Sequence, residues 1–376
     1  MSGWANDFGL DAGNTWLNTA HQGALPRVAA EAAREAIEWK LEPWRLTAER
    51  FSEVPDRVRA AAARWIGADS RDVFLTNGAS LGLHEIAQGM RLIAGDDVLL
   101  MHGDFPSNVL PWLAHRERGV TVRRIKPSGC VLEVEEIALA MRPETRVVCV
   151  SWVHSFSGWT LELDKIAALC RENEVRLVVN VSQGLGARPF DVQLAQVDAV
   201  VCAGWKWLCG PYGVGFGWLC PEFRRELQPT QRYWLSQQTA DDLGSDKDPA
   251  DDDPVDSIKR FDLFGTANFF NFHSWGVALE YLLERGPRAI EAHDRNLVRR
   301  LHGGLPAEFK LVSPADPERS STLVLFGHRE PSRNEAIYRS LLDARIHVAF
   351  RRGVLRVAPH LYNDESQIDR LLERLG

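Results

Sequence analysis

The segments VNVSQGLGARPFDV (residues 179–192) and CAGWKWLCGPYGVGFGWL (residues 202–219) decide how this chain is read. An apolar run from Arg176 to Val179 ends in the polar group Asn180, Ser182 and Gln183. A second apolar run, Val197 to Ala203, delivers Lys206 into a loop punctuated by Gly210, Pro211, Gly213 and Gly215. Lys206 stands between Trp205 and Trp207, a poor setting for a solvated charge. Lysine is usually exposed, and burying its ammonium unpaired costs several kcal/mol. A lysine held among aromatics at a strand end is suited to be an amine of lowered pKa that forms a Schiff base. The plain alternative is a structural lysine reaching out of a loop.

Working outward, residues 26–43 and 54–66 carry apolar side chains at three- and four-residue spacings and predict helices. From residue 72 onward, strand-like runs alternate with helical patterns: DVFLT, DDVLLMHG, TRVVCVSWV, VRLVVNVS, DAVVCAG and GVGFGWLC. Continuous apolar strands separated by helices indicate an α/β fold with a parallel sheet covered on both faces. Residues 229–262 break this pattern with Asp241, Asp242, Asp246, Asp248, Asp251, Asp252 and Asp253 among Pro and Ser, and read as a solvated loop, an active-site cover or a subunit contact. After the helix WGVALEYLLERG a smaller β/α segment follows, so the lobe boundary is placed near residue 270. The expected organisation is an N-terminal segment over 1–20, a large lobe over 21–270 and a small C-terminal lobe over 271–376.

Five stretches, taken with these two segments, resemble the class V aminotransferase/cysteine desulfurase-like family of pyridoxal phosphate (PLP) enzymes. They are WLNTAHQGALP, LTNGASLGLHEIA, HGDFPSNVLPW, FGTANFFNF and GVLRVAPHLYND, and with the central pair they span nearly the whole chain. The resemblance implies fold type I: a large lobe with a mostly parallel seven-stranded-type sheet and a smaller C-terminal α/β lobe. It also implies PLP as cofactor, an amino acid or amino-acid conjugate as substrate, and a homodimer. One position departs from the family pattern. Where the family has Asp at the strand end, this chain has Asn180.

By that resemblance Lys206 supplies the amine that holds the cofactor carbonyl and then acts as the base at the substrate Cα. Gly78, Ala79 and Ser80 open a helix after a strand, where free N–H groups and the dipole suit a phosphate; Ser80 would otherwise serve only as a cap. Trp205 takes the place of a hydrogen-bonding residue, as an indole donor to phosphate or as packing. Thr266 corresponds to the residue that reaches the phosphate of the neighbouring subunit. Phe105 occupies the position that stacks on the cofactor ring. Gln183 would bond the phenolic oxygen, and Asn180 would face the pyridine nitrogen. Arg356 matches the arginine that holds the substrate carboxylate, a task its planar fork suits. His21 and Gln22 border the substrate pocket, and Ser155 stands where desulfurases carry an Asn.

Neutral Asn180 gives a pyridinium no opposite charge, so the ring should be a weaker electron sink. Transamination suffers most from that loss. A β-elimination suffers less, because electrons leave with the Cβ substituent. The lead expectation is therefore a carbon–sulfur lyase-like β-elimination with Lys206 as base. Aminotransferase or epimerase-type Cα chemistry is the alternative, and a PLP-binding chain that no longer catalyses is the third.

Composition narrows the classes further. A net charge of −7 and the lack of any Lys/Arg block argue against a nucleic-acid partner. The N-terminus lacks the basic and apolar regions of a signal peptide, and no long uncharged run is present, so a cytoplasmic protein without a membrane partner is expected. No His, Cys and Glu spacing resembles a metal site. The six cysteines, Cys130, Cys149, Cys170, Cys202, Cys209 and Cys220, include none in the C-terminal lobe, where a desulfurase needs a mobile thiol. Gly78–Ala79–Ser80–Leu81–Gly82 also fits the G-x-S-x-G elbow of a hydrolase, with His347 or His360 as nominal partners.

Overall fold

The structure, a computed structural model, describes residues 4–230, 233–239, 242, 257–266 and 268–376. Most of the acidic stretch expected as a loop or cover lies outside the described residues.

Seven strands form the central sheet: β1 Val73–Thr76, β2 Asp97–Met101, β3 Thr121–Ile125, β4 Thr145–Ser151, β5 Arg176–Asn180, β6 Ala199–Ala203 and β7 Gly215–Leu219. Their spatial order is β1-β7-β6-β5-β4-β2-β3. All pairs are parallel except those of β7, which runs antiparallel to β1 and β6. The residues of β1, β2, β6 and β7 are all buried, as strands covered on both faces must be. Fold type I with a seven-stranded, mostly parallel sheet is thus the observed architecture.

One face packs on helices α1 Arg27–Leu41 and α2 Arg50–Trp65, through Ala29, Ala36, Val58, Ala62 and their neighbours. The other face is covered by α3 Ala79–Gly89, which buries Leu83 and Ile86 against Val98, Val178 and Val201.

Helix α4, Phe269–Arg285, packs against α1 and α2 and buries Phe272, Trp275 and Leu279 in the large-lobe core. The expected boundary near residue 270 therefore falls at the start of a large-lobe helix. The chain crosses to the small lobe at Gly286, whose φ of +84° turns it into α5 Pro287–Gly304. That lobe has an antiparallel sheet ordered β10-β11-β9-β8, from β8 Phe309–Leu311, β9 Val324–His328, β10 Ala349–Arg351 and β11 Val354–Val357. The N-terminal segment packs on both lobes: Thr15–Trp16 pairs with Ile346–His347 and Leu17 enters the small-lobe core, while Phe8 and Ala20 lie in the large-lobe core. Among the described residues no helix is long and apolar enough to cross a membrane.

Candidate active site

Parallel sheets bind ligands outside the carboxyl ends of their strands. Here the ends of β1, β2, β4, β5 and β6 converge on a cavity of about 260 Å³. Its walls carry Ala79 and Ser80 after β1, Phe105 and Ser107 after β2, Ser155 and Phe156 after β4, Asn180 at the end of β5 with Gln183 beyond it, and Trp205 and Lys206 after β6. The N-terminal segment adds His21 and Gln22, and the small lobe adds Arg351 and Arg356. A larger groove of about 680 Å³ lies at the opposite strand ends. Its Arg146 and Arg176 are already paired with Asp96, Asp198 and Glu226, so it offers less unsatisfied charge.

Lys206 lies with its Nζ 5.5 Å from the Phe105 ring centroid. Burial, with the Arg356 guanidinium adding repulsion, lowers its pKa from 10.5 to about 8. Its backbone is positioned by the N-terminal segment. Gly23 donates from its N–H to the Trp205 carbonyl at 2.8 Å, and a Cβ on Gly23 would come within 1.9 Å of the Lys206 carbonyl oxygen. Only glycine permits that approach, and it sets His21 and Gln22 at the cavity mouth.

The lysine loop is also held from below. His360 Nε2 donates to the Trp207 carbonyl at 3.0 Å, while Nδ1 donates to Asp294 Oδ2 at 2.8 Å. Burial alone would lower the His360 pKa; the Asp294 carboxylate outweighs it and pushes it up to about 10.

Arg356 is 4% exposed and poorly satisfied. Its Nη1 and Nη2 make only long bonds, to the Ser155 carbonyl at 3.5 Å and Asn18 Oδ1 at 3.4 Å, and Nε has no partner. Burial and the nearby Arg351 lower its pKa to about 10. Register explains the pair: Ala349 faces Arg356 and Arg351 faces Val354, so both arginines rise from one face of the hairpin as diagonal neighbours. His21 is lowered by burial and by Arg351, Arg356 and Lys206. The described walls carry four basic side chains and no carboxylate, an arrangement that calls for anions.

The start of α3 lines the same cavity with Ala79 and Ser80. Gly78, at φ +148°, precedes α3, and a Cβ there would strike the Trp205 ring at 2.6 Å. Trp205 thus lies against the helix start by its six-membered ring and touches Tyr212 at 4.7 Å between centroids. The Ser80 and Ser107 hydroxyls meet at 2.7 Å beside that N-terminus. Among the described residues no histidine bonds Ser80, and His360 and His347 are bonded to Asp294 and Asn14, so the hydrolase arrangement is not formed there.

Gln183 accepts from the Trp207 indole at 3.1 Å and donates to the Ala20 carbonyl at 3.1 Å. Asn180 donates from Nδ2 to Asn108 Oδ1 at 2.8 Å and accepts from the Ser182 N–H at 3.0 Å. Behind it Asn108 donates to Asp104 at 2.9 Å. Thr266 is buried and away from the cavity wall. Among the described residues of the wall there is no cysteine. Sequence reasoning missed Ser107, Asn108, Arg351, Phe156 and Tyr212; only GDFPSN, with its cluster of polar residues after a strand, carried a local signal.

An orphan guanidinium, a lysine of lowered pKa and a helix N-terminus with paired hydroxyls surround one cavity, a set whose chemistry suits a group such as PLP that carries both a carbonyl and a phosphate.

Comparison with known proteins agrees. The model of the family described as aminotransferase class-V matches residues 44–371. The chain is 30% identical over 380 residues to an isopenicillin N epimerase of Streptomyces clavuligerus, covering 96% of this chain and 93% of that one. It is 26% identical over 335 residues to a probable cysteine desulfurase of Methanothermobacter thermautotrophicus, covering 85% and 82%. Among solved structures, the cystine C-S lyase C-DES in complex with its reaction product cysteine persulfide superposes with a TM-score of 0.88 at 25% identity, covering 97% of each chain.

Proposed function

The chain belongs to the aminotransferase class-V family of PLP-dependent enzymes, and from that premise we propose that it is a carbon–sulfur lyase acting on a cysteine S-conjugate. When bound, PLP withdraws electrons from the substrate Cα and makes its proton removable. Arg356 binds the α-carboxylate, supplying the anion that its buried guanidinium lacks. Lys206 Nζ takes the Cα proton, and the Cβ–S bonding pair leaves with sulfur as thiolate. With water, the net products are pyruvate, ammonium and the thiol.

The observation that carries the reading is Asn180, a neutral amide facing the cavity where the family pattern has a carboxylate. Departure of a thiolate removes the electron pair that a charged ring site would otherwise have to stabilise. The cysteine-free wall supports release of the sulfur product over its capture by a protein thiol. The C-S lyase named among the structural neighbours is in keeping with this chemistry.

Epimerisation at Cα is the second reading, favoured by the 30% identity to an isopenicillin N epimerase. Incubating the PLP-loaded protein with L-cysteine S-conjugates in deuterated water separates the two. Pyruvate and thiol in equal amounts support the lyase. Substrate recovered with Cα deuterium and inverted configuration, without pyruvate, makes the chain an epimerase.

A homodimer is part of the proposal. Thr266 is buried off its own cavity, Phe264 and Phe270 on either side of it in the chain are exposed, and so is Tyr212, whose carbonyl accepts from Asn271. Sedimentation should give twice the chain mass, and a monomer at working concentration would remove Thr266 from the site.

A further inference from the structure

We infer that Asn180 is locked as a hydrogen-bond donor toward the cavity, so that the pyridine nitrogen of the bound cofactor is held unprotonated, as an acceptor. The inference rests on PLP occupying the cavity as proposed, with its ring nitrogen at the end of β5.

The lock is a directed chain of hydrogen bonds anchored at both ends. At one end Asp104, 6% exposed, accepts from four donors: the Phe105 N–H at 2.6 Å, the Ser151 hydroxyl at 2.7 Å, the Ser151 N–H at 3.0 Å and Asn108 Nδ2 at 2.9 Å. A carboxylate so placed only accepts, so Asn108 must turn its Nδ2 toward Asp104 and its Oδ1 away. That Oδ1 meets Asn180 at 2.8 Å and requires a donor there, which fixes Nδ2 of Asn180 on that side. At the other end the Ser182 N–H, 3.0 Å away, can only donate and requires Asn180 Oδ1.

Turning the Asn180 amide over would set two donors against each other at Ser182 and two acceptors at Asn108. Asn108 cannot follow, because its own reversal would put Oδ1 against the Asp104 carboxylate. Both anchors therefore agree on one orientation. An amide nitrogen carries two hydrogens. One is spent on Asn108, and the other remains for the cavity that Asn180 lines. A protonated ring nitrogen would present its own N–H to that donor. An unprotonated one completes the bond.

Loading the protein with PLP labelled by nitrogen-15 in the ring, and recording its chemical shift from mildly acidic to mildly alkaline pH, tests this directly. The expected signal lies in the range of a neutral, hydrogen-bonded pyridine and does not move with pH. Asn180→Asp should carry it into the pyridinium range, since a carboxylate there favours the protonated ring. A pyridinium shift in the unaltered protein overturns the inference, with or without a foldable variant. If elimination is not observed but the neutral shift is, the proposed reaction fails and the donor assignment stands. If the label is bound elsewhere than at Lys206, as peptide mapping would show, the site assignment fails first, and the inference with it.

Discussion

Asn180 and Asn108 are joined side chain to side chain at 2.8 Å, linking the end of β5 to the loop that follows β2. Behind them Asp104 sits where a carboxylate can order the pair without touching the cavity wall. The negative charge is thus displaced by one side chain from the wall, and a neutral amide is left facing the cavity.

Asp104→Asn should be costly. The replacement has one acceptor oxygen where four donors converge, so at least one N–H or O–H is left facing an amide N–H. A loss of about 1–3 kcal/mol in chemical denaturation is expected for each buried group left unpaired. Unchanged stability would mean that the Asn108 orientation does not depend on the carboxylate.

Arg356→Met should separate binding from folding. The guanidinium is buried with Nε unpartnered, so an apolar chain of similar length should leave the melting temperature unchanged or raise it. The substrate KM should rise by at least about tenfold, because hydrogen bonds to charged groups are worth roughly 1.5–3 kcal/mol. Arg356→Lys should restore only part of the affinity, lacking the fork. Normal affinity in the Met variant would remove Arg356 from the substrate site.

The His360–Asp294 pair predicts a pH dependence of stability. His360 titrates near 6.5 when unfolded and is pushed up to about 10 in the fold, where burial opposes and Asp294 more than compensates. Its contribution is fully present below the unfolded value and is lost as pH rises through the folded one. Melting temperature should therefore decline between pH 6.5 and pH 10. Asp294→Asn should start lower and flatten that part of the profile. An equally steep decline in the variant would place the titrating group elsewhere.

Replacing each cysteine singly by Ser or Ala should leave turnover intact wherever the fold survives. Burial raises the Cys170 and Cys202 thiols to about 12 and Cys220 to about 11, far from the reactive thiolate range. Loss of turnover in one folded variant would return a persulfide-forming thiol to the mechanism.

Much of the site was legible in the chain because its parts violate local expectation. Lys206 between two tryptophans and Arg356 in VLRVA are cations in apolar settings, and both lie on the cavity wall, Lys206 with a lowered pKa and Arg356 with Nε unpartnered. The strand series was legible from continuous apolar runs. The Asp104–Asn108–Asn180 chain was not, since 72 residues separate the two amides and only the parallel sheet brings β2 and β5 ends together. Arg351, beside Arg352 in a polar turn, resembles a surface arginine until the hairpin register places it on the Arg356 face. Helix α4 follows the acidic stretch like the start of a new lobe, yet buries its apolar face against α1 and α2.

The proposed chemistry requires Lys206 to be the residue that carries the cofactor. Borohydride reduction of the PLP-loaded protein, followed by digestion and mass mapping, measures this directly. The predicted result is a pyridoxyl group on the peptide containing Lys206, and its loss in Lys206→Ala, which should still take up PLP noncovalently at the α3 N-terminus. A pyridoxyl group on another lysine, or a protein that stays colourless and unlabelled when PLP is supplied, would contradict the account.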